Sequence, residues 1–164
     1  MKILVLSDSH SGLSFMRFCI DKVKPCHVIH LGDHYDDATT LAQVNPHIRF
    51  HQVPGNCDSY RRDPWAVDVL SYPIEGVKFF MTHGHRQMVK SGTGRLLADA
   101  RASGADAVLY GHTHRAECYH EDGLWVMNPG SCGSYSGSVG VIEVENEKIS
   151  VCAIMTQTEI AQLP

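Results

Sequence analysis

Five short apolar runs in this chain stop at residues that can hold a metal ion. KILVLS stops at Asp8-Ser9-His10, HVIHLGD at Asp33 and IRFHQVPGNCD at Asn56. GVKFFMTHGH stops at His83, and ADAVLYGHTH at His112 and His114. Carboxylate, imidazole and amide oxygen together suit borderline divalent cations such as Mn, Fe, Co, Ni or Zn. An all-oxygen Ca or Mg cage would not need imidazole, and no thiolate cluster selects a soft metal. Seven ligands are too many for one tetrahedral zinc. They suit two ions sharing a carboxylate, and Asp33, on an inner strand with no ligand neighbour of its own, is the obvious bridge. Two ions ~3.5–4 Å apart clamp the attacking and leaving oxygens of an in-line displacement and lower the pKa of water towards ~7. Two divalent cations, less Asp8, Asp33 and one hydroxide, leave about one positive charge, which attracts an anionic phosphoryl group.

Such chemistry needs elements that bring the five ends together. In open α/β sheets, ligands bind outside the carboxyl ends of the strands. If these strands share one parallel sheet, all seven side chains gather along one edge. The intervening segments fit. Leu13, Met16, Ile20 and Val23 have helical spacing before Pro25. DDATTLAQVN reads as a short helix closed before Pro46, and GRLLADARASG as a helix ended by Gly104. AVDVLSYPIEGVKFFMTHGH reads as two strands turning at Glu75-Gly76. GLWVMNPGS and VGVIEVENEKISVCAIM add three more, the last two joined across Asn146-Glu147. Arg61, Arg62, Asp63 and Pro64 read as loop. The first half alternates strand and helix, and the second half is mostly strand. The expectation is an α/β fold over residues 1–164, a single domain with one core and two packed sheets flanked by helices.

Composition excludes other classes. With 164 residues, 43% hydrophobic and 20% charged, the chain can bury one proper core. A formal net charge of −4 gives no broad basic face, so strong nucleic-acid binding is not expected. No apolar run approaches the ~20 residues of a membrane span. The four-residue apolar stretch after Lys2 is too short for a signal peptide, so a cytoplasmic location is expected. The six cysteines are scattered without a C-x-x-C pair and read as free thiols.

The motifs occur in a fixed order: DSH (8–10), GD (32–33), GNCD (55–58), THGH (82–85) and GHTH (111–114). In this order they closely resemble the calcineurin-like metallophosphoesterase superfamily, and within it the small YfcE-like phosphodiesterases. The resemblance spans almost the whole chain, including NPGS (128–131). It implies a four-layer αββα sandwich of two mixed β-sheets. It also implies hydrolysis of a small phosphoester, most readily a diester, by a hydroxide bridging two divalent metals, with manganese foremost. On the same resemblance, Asp8, His10 and His114 hold one metal, Asn56, His83 and His112 the other, and Asp33 bridges them. A family-style homodimer is compatible with it.

One position departs from the wider superfamily, whose third motif often reads Gly-Asn-His. Here it is Cys57, as is common among YfcE-like members. A thiol of pKa ~8.5 can donate a proton but substitutes poorly for an imidazolium. Esters with acidic leaving groups are therefore the expected substrates, with His85 or His34 as the alternative acid. Asp33, Asn56, Cys57 and His85 are thus the residues expected at the reacting group. A retromer subunit resembles this family, has lost key ligands and serves protein contacts. A catalytically weak scaffold is accordingly the alternative, and the presence of all seven ligands here favours catalysis.

Other polar residues carry plainer readings. His30, inside an apolar strand, reads as a core or supporting histidine. His34 and His85 adjoin ligands and could orient them. His27, His47, His51 and His120 read as ordinary surface or strand residues. Asp36 and Asp37 fit a solvated first helical turn. Arg61 and Arg62 read as a solvated loop, Asn128 as a turn residue, and Cys57 could equally be a small buried filler.

Overall fold

A computed structural model describes residues 1–58, 64–133 and 137–164. In chain order the elements begin with β1 (Lys2–Leu6), α1 (Leu13–Val23), β2 (His27–His30), α2 (Tyr35–Val44) and β3 (Arg49–Gln52). They continue with β4 (Val69–Ile74), β5 (Val77–Thr82), α3 (Gly94–Ala102), β6 (Ala107–Leu109), β7 (Glu117–Glu121) and β8 (Leu124–Asn128). The chain closes with β9 (Ser138–Glu145), β10 (Lys148–Thr156) and α4 (Gln157–Ala161). The loop reading of Arg61, Arg62 and Asp63 falls outside the described residues. Among those described, no helix is long and apolar enough to cross a membrane.

Two five-stranded mixed sheets form, in the orders β10-β9-β1-β2-β3 and β4-β5-β6-β8-β7. In the first, β1, β2 and β3 run parallel; in the second, β5, β6 and β8 do. Side chains alternate across a strand, and this alternation builds the layers. Ile3, Val5 and Ile29 point inward and meet Phe79, Met81 and Leu109 of the other sheet in a shared core. Leu4, Leu6 and Val28 point outward beneath Met16, Ile20, Val23 and Leu41 of α1 and α2. Phe80, Val108 and Val126 point the other way beneath Leu96 and Ala100 of α3. With both sheet faces covered, the strands read as near-continuous apolar runs. The order is helix, sheet, sheet, helix.

One expectation is corrected, and two elements are added to those the sequence suggested. The five ligand-bearing strands do not share one sheet: β1, β2 and β3 belong to the first, β5 and β6 to the second. Strand β7 was not expected, because ECYHE is a half-exposed edge strand without apolar alternation. Helix α4 was not expected either, although Thr156 and Glu159 form a full capping box. Gly104 does end α3. The N–H of Ala105 reaches the Ala100 carbonyl at 3.2 Å and that of Gly104 reaches Arg101 at 3.0 Å, a Schellman closure.

Two polar assemblies fix the frame. Asp58 is buried just after β3, and its carboxylate accepts four backbone N–H bonds. Oδ2 accepts from Gly55 at 2.7 Å and Asp33 at 3.0 Å, and Oδ1 from His34 at 2.8 Å and Tyr35 at 2.9 Å. It thereby caps α2 from a distant loop, satisfying donors that the helix start leaves open. The second assembly ties the two sheets together. His27 Nδ1 and His51 Nε2 share a hydrogen bond of 2.8 Å, and His51 Nδ1 meets the Tyr72 hydroxyl of β4 at 2.5 Å. His27 and His51 are thus inter-sheet contacts rather than ordinary strand residues.

Asp58→Ala leaves four donors without their acceptor and is expected to cost about 3 kcal/mol or more by urea denaturation, with Asp58→Asn intermediate. An acid-side loss of stability is also expected. Burial pushes His30 and His51 down to about 4, and pushes His27 down as well. Folded values lie below the unfolded value of ~6.5, so between the two the unfolded chain binds more protons. Stability of the metal-free chain should be full above about pH 6.5 and fall as pH drops towards 4. A urea midpoint that stays flat across that window would show that these imidazoles are charged in the folded protein.

Candidate metal centre

The seven residues converge at the carboxyl ends of β1, β2, β5 and β6 and in the loop after β3. Asp8, His10, Asp33 and His114 each offer a ligand atom, and these atoms lie within 4.8 Å of one another. Asp8 is fully buried. Its Oδ2 accepts from the Ser7 hydroxyl at 2.5 Å and the His112 N–H at 3.1 Å. Its Oδ1 lies 3.0 Å from His114 Nε2, yet this buried oxygen has no hydrogen-bond partner among the described residues.

A second group adjoins the first through Asp33. His83 Nε2 lies 3.5 Å from Asp33 Oδ1 and 3.2 Å from Asn56 Oδ1. His83 Nδ1 is 2.7 Å from the Leu31 carbonyl, which can only accept, so that nitrogen carries the proton. In the neutral ring Nε2 then presents a lone pair, facing two oxygens that also present lone pairs. Such a cluster of acceptors is what a cation requires, and the orphaned Asp8 Oδ1 makes the same case for the first group. The His112 ring completes the second group, its centroid 5.0 Å from that of His83.

The charge states suit this use. Burial, then His83 and Lys90, push His112 down to about 4, leaving its ring neutral at pH 7. Burial works to raise Asp33, but His83, the Cys57 N–H and thiol, and His10 outweigh it and hold the carboxyl below its ordinary value. Burial and the Asp33 carboxylate push the Cys57 thiol up to about 11. Cys57 is exposed, not a buried filler, and its N–H donates to Asp33 Oδ1 at 2.9 Å.

The backbone beneath these residues is unusual. Asp8 (φ 52°), His10 (42°), Asp33 (56°), His112 (69°) and His114 (58°) all occupy the left-handed region. Each such residue costs about 1–3 kcal/mol and persists only where neighbours over-determine it. Several neighbours do so. Asp58 grips Asp33. Asp37 Oδ2 accepts from the Ser9 hydroxyl at 2.7 Å and the Ser11 N–H at 2.9 Å, fixing the loop after β1. His30 Nε2 meets the same Ser9 hydroxyl at 3.0 Å. The Ser131 hydroxyl donates to the Asp8 carbonyl at 2.8 Å. Asn128 Nδ2 donates to the Gly111 carbonyl and Thr113 Oγ1, both at 3.0 Å, and holds the GHTH turn. Two glycines make room: a Cβ on Gly55 would fall on Asp33 Oδ1, and one on Gly111 on the Ser7 hydroxyl.

The plainer readings divide. His30 is a buried supporting histidine, as its apolar strand suggested. Asp37 braces the site, whereas Asp36 stays exposed. His34 Nδ1 meets the Ser11 hydroxyl at 3.1 Å, with its ring 5.2 Å from that of His10. His85 stands 5.4 Å from His83 by ring centroid, its Nδ1 buried and unpartnered among the described residues. Asn128 is a buried brace more than a turn former. Sequence reasoning assigned no role to Asp58, Ser9 or Ser131, although Asp58 closes GNCD and Ser131 closes NPGS.

The architecture has known counterparts. Residues 1–147 match the calcineurin-like phosphoesterase superfamily domain. Phosphodiesterase MJ0936 of Methanocaldococcus jannaschii is 32% identical, covering 90% of this chain and 96% of its own length. Phosphodiesterase YfcE of Escherichia coli is 32% identical over 68% of this chain and 60% of its own length. The fold is also that of vacuolar protein sorting 29 from Cryptosporidium parvum, with a TM-score of 0.69 at 16% identity, covering 95% of this chain and 98% of that one. With its ordered motifs, two mixed sheets and clustered acceptors, the chain belongs to the calcineurin-like phosphoesterase superfamily.

Proposed function

We propose that this chain is a phosphodiesterase using two divalent cations, manganese foremost, with Ni, Fe, Co or Zn as alternatives. Asp8, His10 and His114 would hold one cation, Asn56, His83 and His112 the other, and Asp33 both. The observation that carries this reading is the meeting of Asp33 Oδ1, His83 Nε2 and Asn56 Oδ1 beside the Asp8 group. Cations held there supply the Lewis acidity that activates water near neutral pH and draws charge off the phosphoryl oxygens. The chain's own contribution is positional. Leu31 fixes the His83 tautomer, Asp58 fixes Asp33, and Asn128 fixes the turn carrying His112 and His114. Residues 1–164 would act as one domain on small phosphoesters in the cytoplasm, a location the six free thiols suit.

Cys57 shapes the substrate range. It follows Asn56 directly and bonds Asp33 through its N–H, which supports a role for its thiol as proton donor to the leaving oxygen. A thiol is a weaker acid than an imidazolium, and His34 and His85 are the imidazoles that stand beside the ligand set, with rings 5.2 Å from His10 and 5.4 Å from His83.

Two outcomes are expected. Hydrolysis of bis-p-nitrophenyl phosphate should require added Mn²⁺, stop with chelator, and drop about 10²-fold or more in Asp33→Asn. If fully metallated protein turns over no phosphodiester in a broad panel, the scaffold reading replaces this one. Across aryl diesters, kcat should fall steeply as leaving-group pKa rises, and Cys57→His should speed the slowest by about tenfold or more. A flat series unmoved by that change would give the acid role to His85 or His34, with His85→Ala and His34→Ala as the check.

A further inference from the structure

Away from the metal centre, two thiols meet across the sandwich. Cys118 lies on β7, an edge of the second sheet, and Cys152 on β10, an edge of the first. Their Sγ atoms are 3.0 Å apart, and Cys118 Sγ also meets the Cys152 carbonyl at 3.3 Å. Both residues are half-buried, open enough for a small reagent to reach. The other four cysteines differ: Cys19 and Cys132 are buried, and Cys26 and Cys57 are exposed. None of those four has a thiol partner among the described hydrogen bonds.

We propose that Cys118 and Cys152 are an oxidative modification site at which a low-molecular-weight disulfide such as oxidised glutathione cross-links the two sheets. Closing 3.0 Å to the ~2.05 Å of a disulfide needs about 1 Å of movement, within reach of χ rotations at strand edges. The Cys118 thiolate attacks one glutathione sulfur, and the displaced glutathione thiolate takes up a proton. Cys152 then loses its proton and attacks the Cys118 sulfur, expelling the second glutathione. Two protein thiols are oxidised by two electrons, and one glutathione disulfide becomes two thiols. The same two displacements give the same cross-link if Cys152 attacks first, because each thiol stands within reach of the other. Three residues separate Cys118 from His114, so the cross-link would also tether the strand leaving the GHTH turn.

The test uses the metal-loaded full chain in graded mixtures of oxidised and reduced glutathione. Free thiols are blocked with N-ethylmaleimide in denaturant, and peptides are mapped by mass spectrometry without reduction. The expected product links the Cys118 and Cys152 peptides, with Cys19 and Cys132 alkylated. It should melt roughly 5–10 °C higher than the reduced chain, reversibly with dithiothreitol. Cys152→Ser should lose that gain and retain glutathione on Cys118. Finding both cysteines alkylated under oxidising conditions, or Cys118 in wild-type protein carrying only glutathione, would overturn the proposal.

Discussion

Acceptor atoms crowd together at one end of this molecule, on backbone that would rather be elsewhere. Five of the seven clustered side chains leave residues with positive φ, none of them glycine. An imidazole or carboxylate reaches the common point only if the chain turns sharply as it leaves the strand. Much of the surrounding polar structure reads as a response to that demand. Asp58, Asp37, Asn128 and Ser131 each grip backbone within a few residues of a strained position. Gly55 and Gly111 clear the space into which the two aspartates lean.

The sandwich beneath makes such turns tolerable. Each central strand is covered on both faces, Ile3 and Val5 inward, Leu4 and Leu6 outward. The strand ends are therefore held by burial and not by their loops. Between the sheets, the contacts among His27, His51 and Tyr72 bind β2 and β3 to β4. The two sheets are thus pinned to each other by a polar contact outside the ligand set. Polar contacts of this kind have directional geometry, which apolar packing lacks, and they help set how the sheets are aligned.

The seven clustered residues were legible in the sequence because each stands where an apolar run stops. The fold class was legible from the order of strands and helices. Which sheet each strand would join was not: β1 and β5 both read as buried apolar runs, and only pairing partners distinguish them. Strand β7 was hidden because an edge strand facing water needs no apolar alternation. Asp58 and Asn128 were hidden for another reason. Their work is to accept or donate to backbone far along the chain, and no local spacing encodes a bond across 25 residues, as from Asp58 to Asp33. His27 and His51 looked ordinary because their partners lie on neighbouring strands.

The division of the cluster between sheets carries a mechanical implication. Within the Asp8 group, three residues hang from the first sheet and His114 from the second; in the other, Asp33 and Asn56 hang from the first, His83 and His112 from the second. Any cation seated in either group would therefore rivet one layer to the other. Occupancy and cohesion of the two layers would be coupled through a shared free energy, since affinity for the folded form alone adds to its stability. Stripping such rivets would loosen the reactive end first, while the histidine–tyrosine clasp between β3 and β4 still joined the layers.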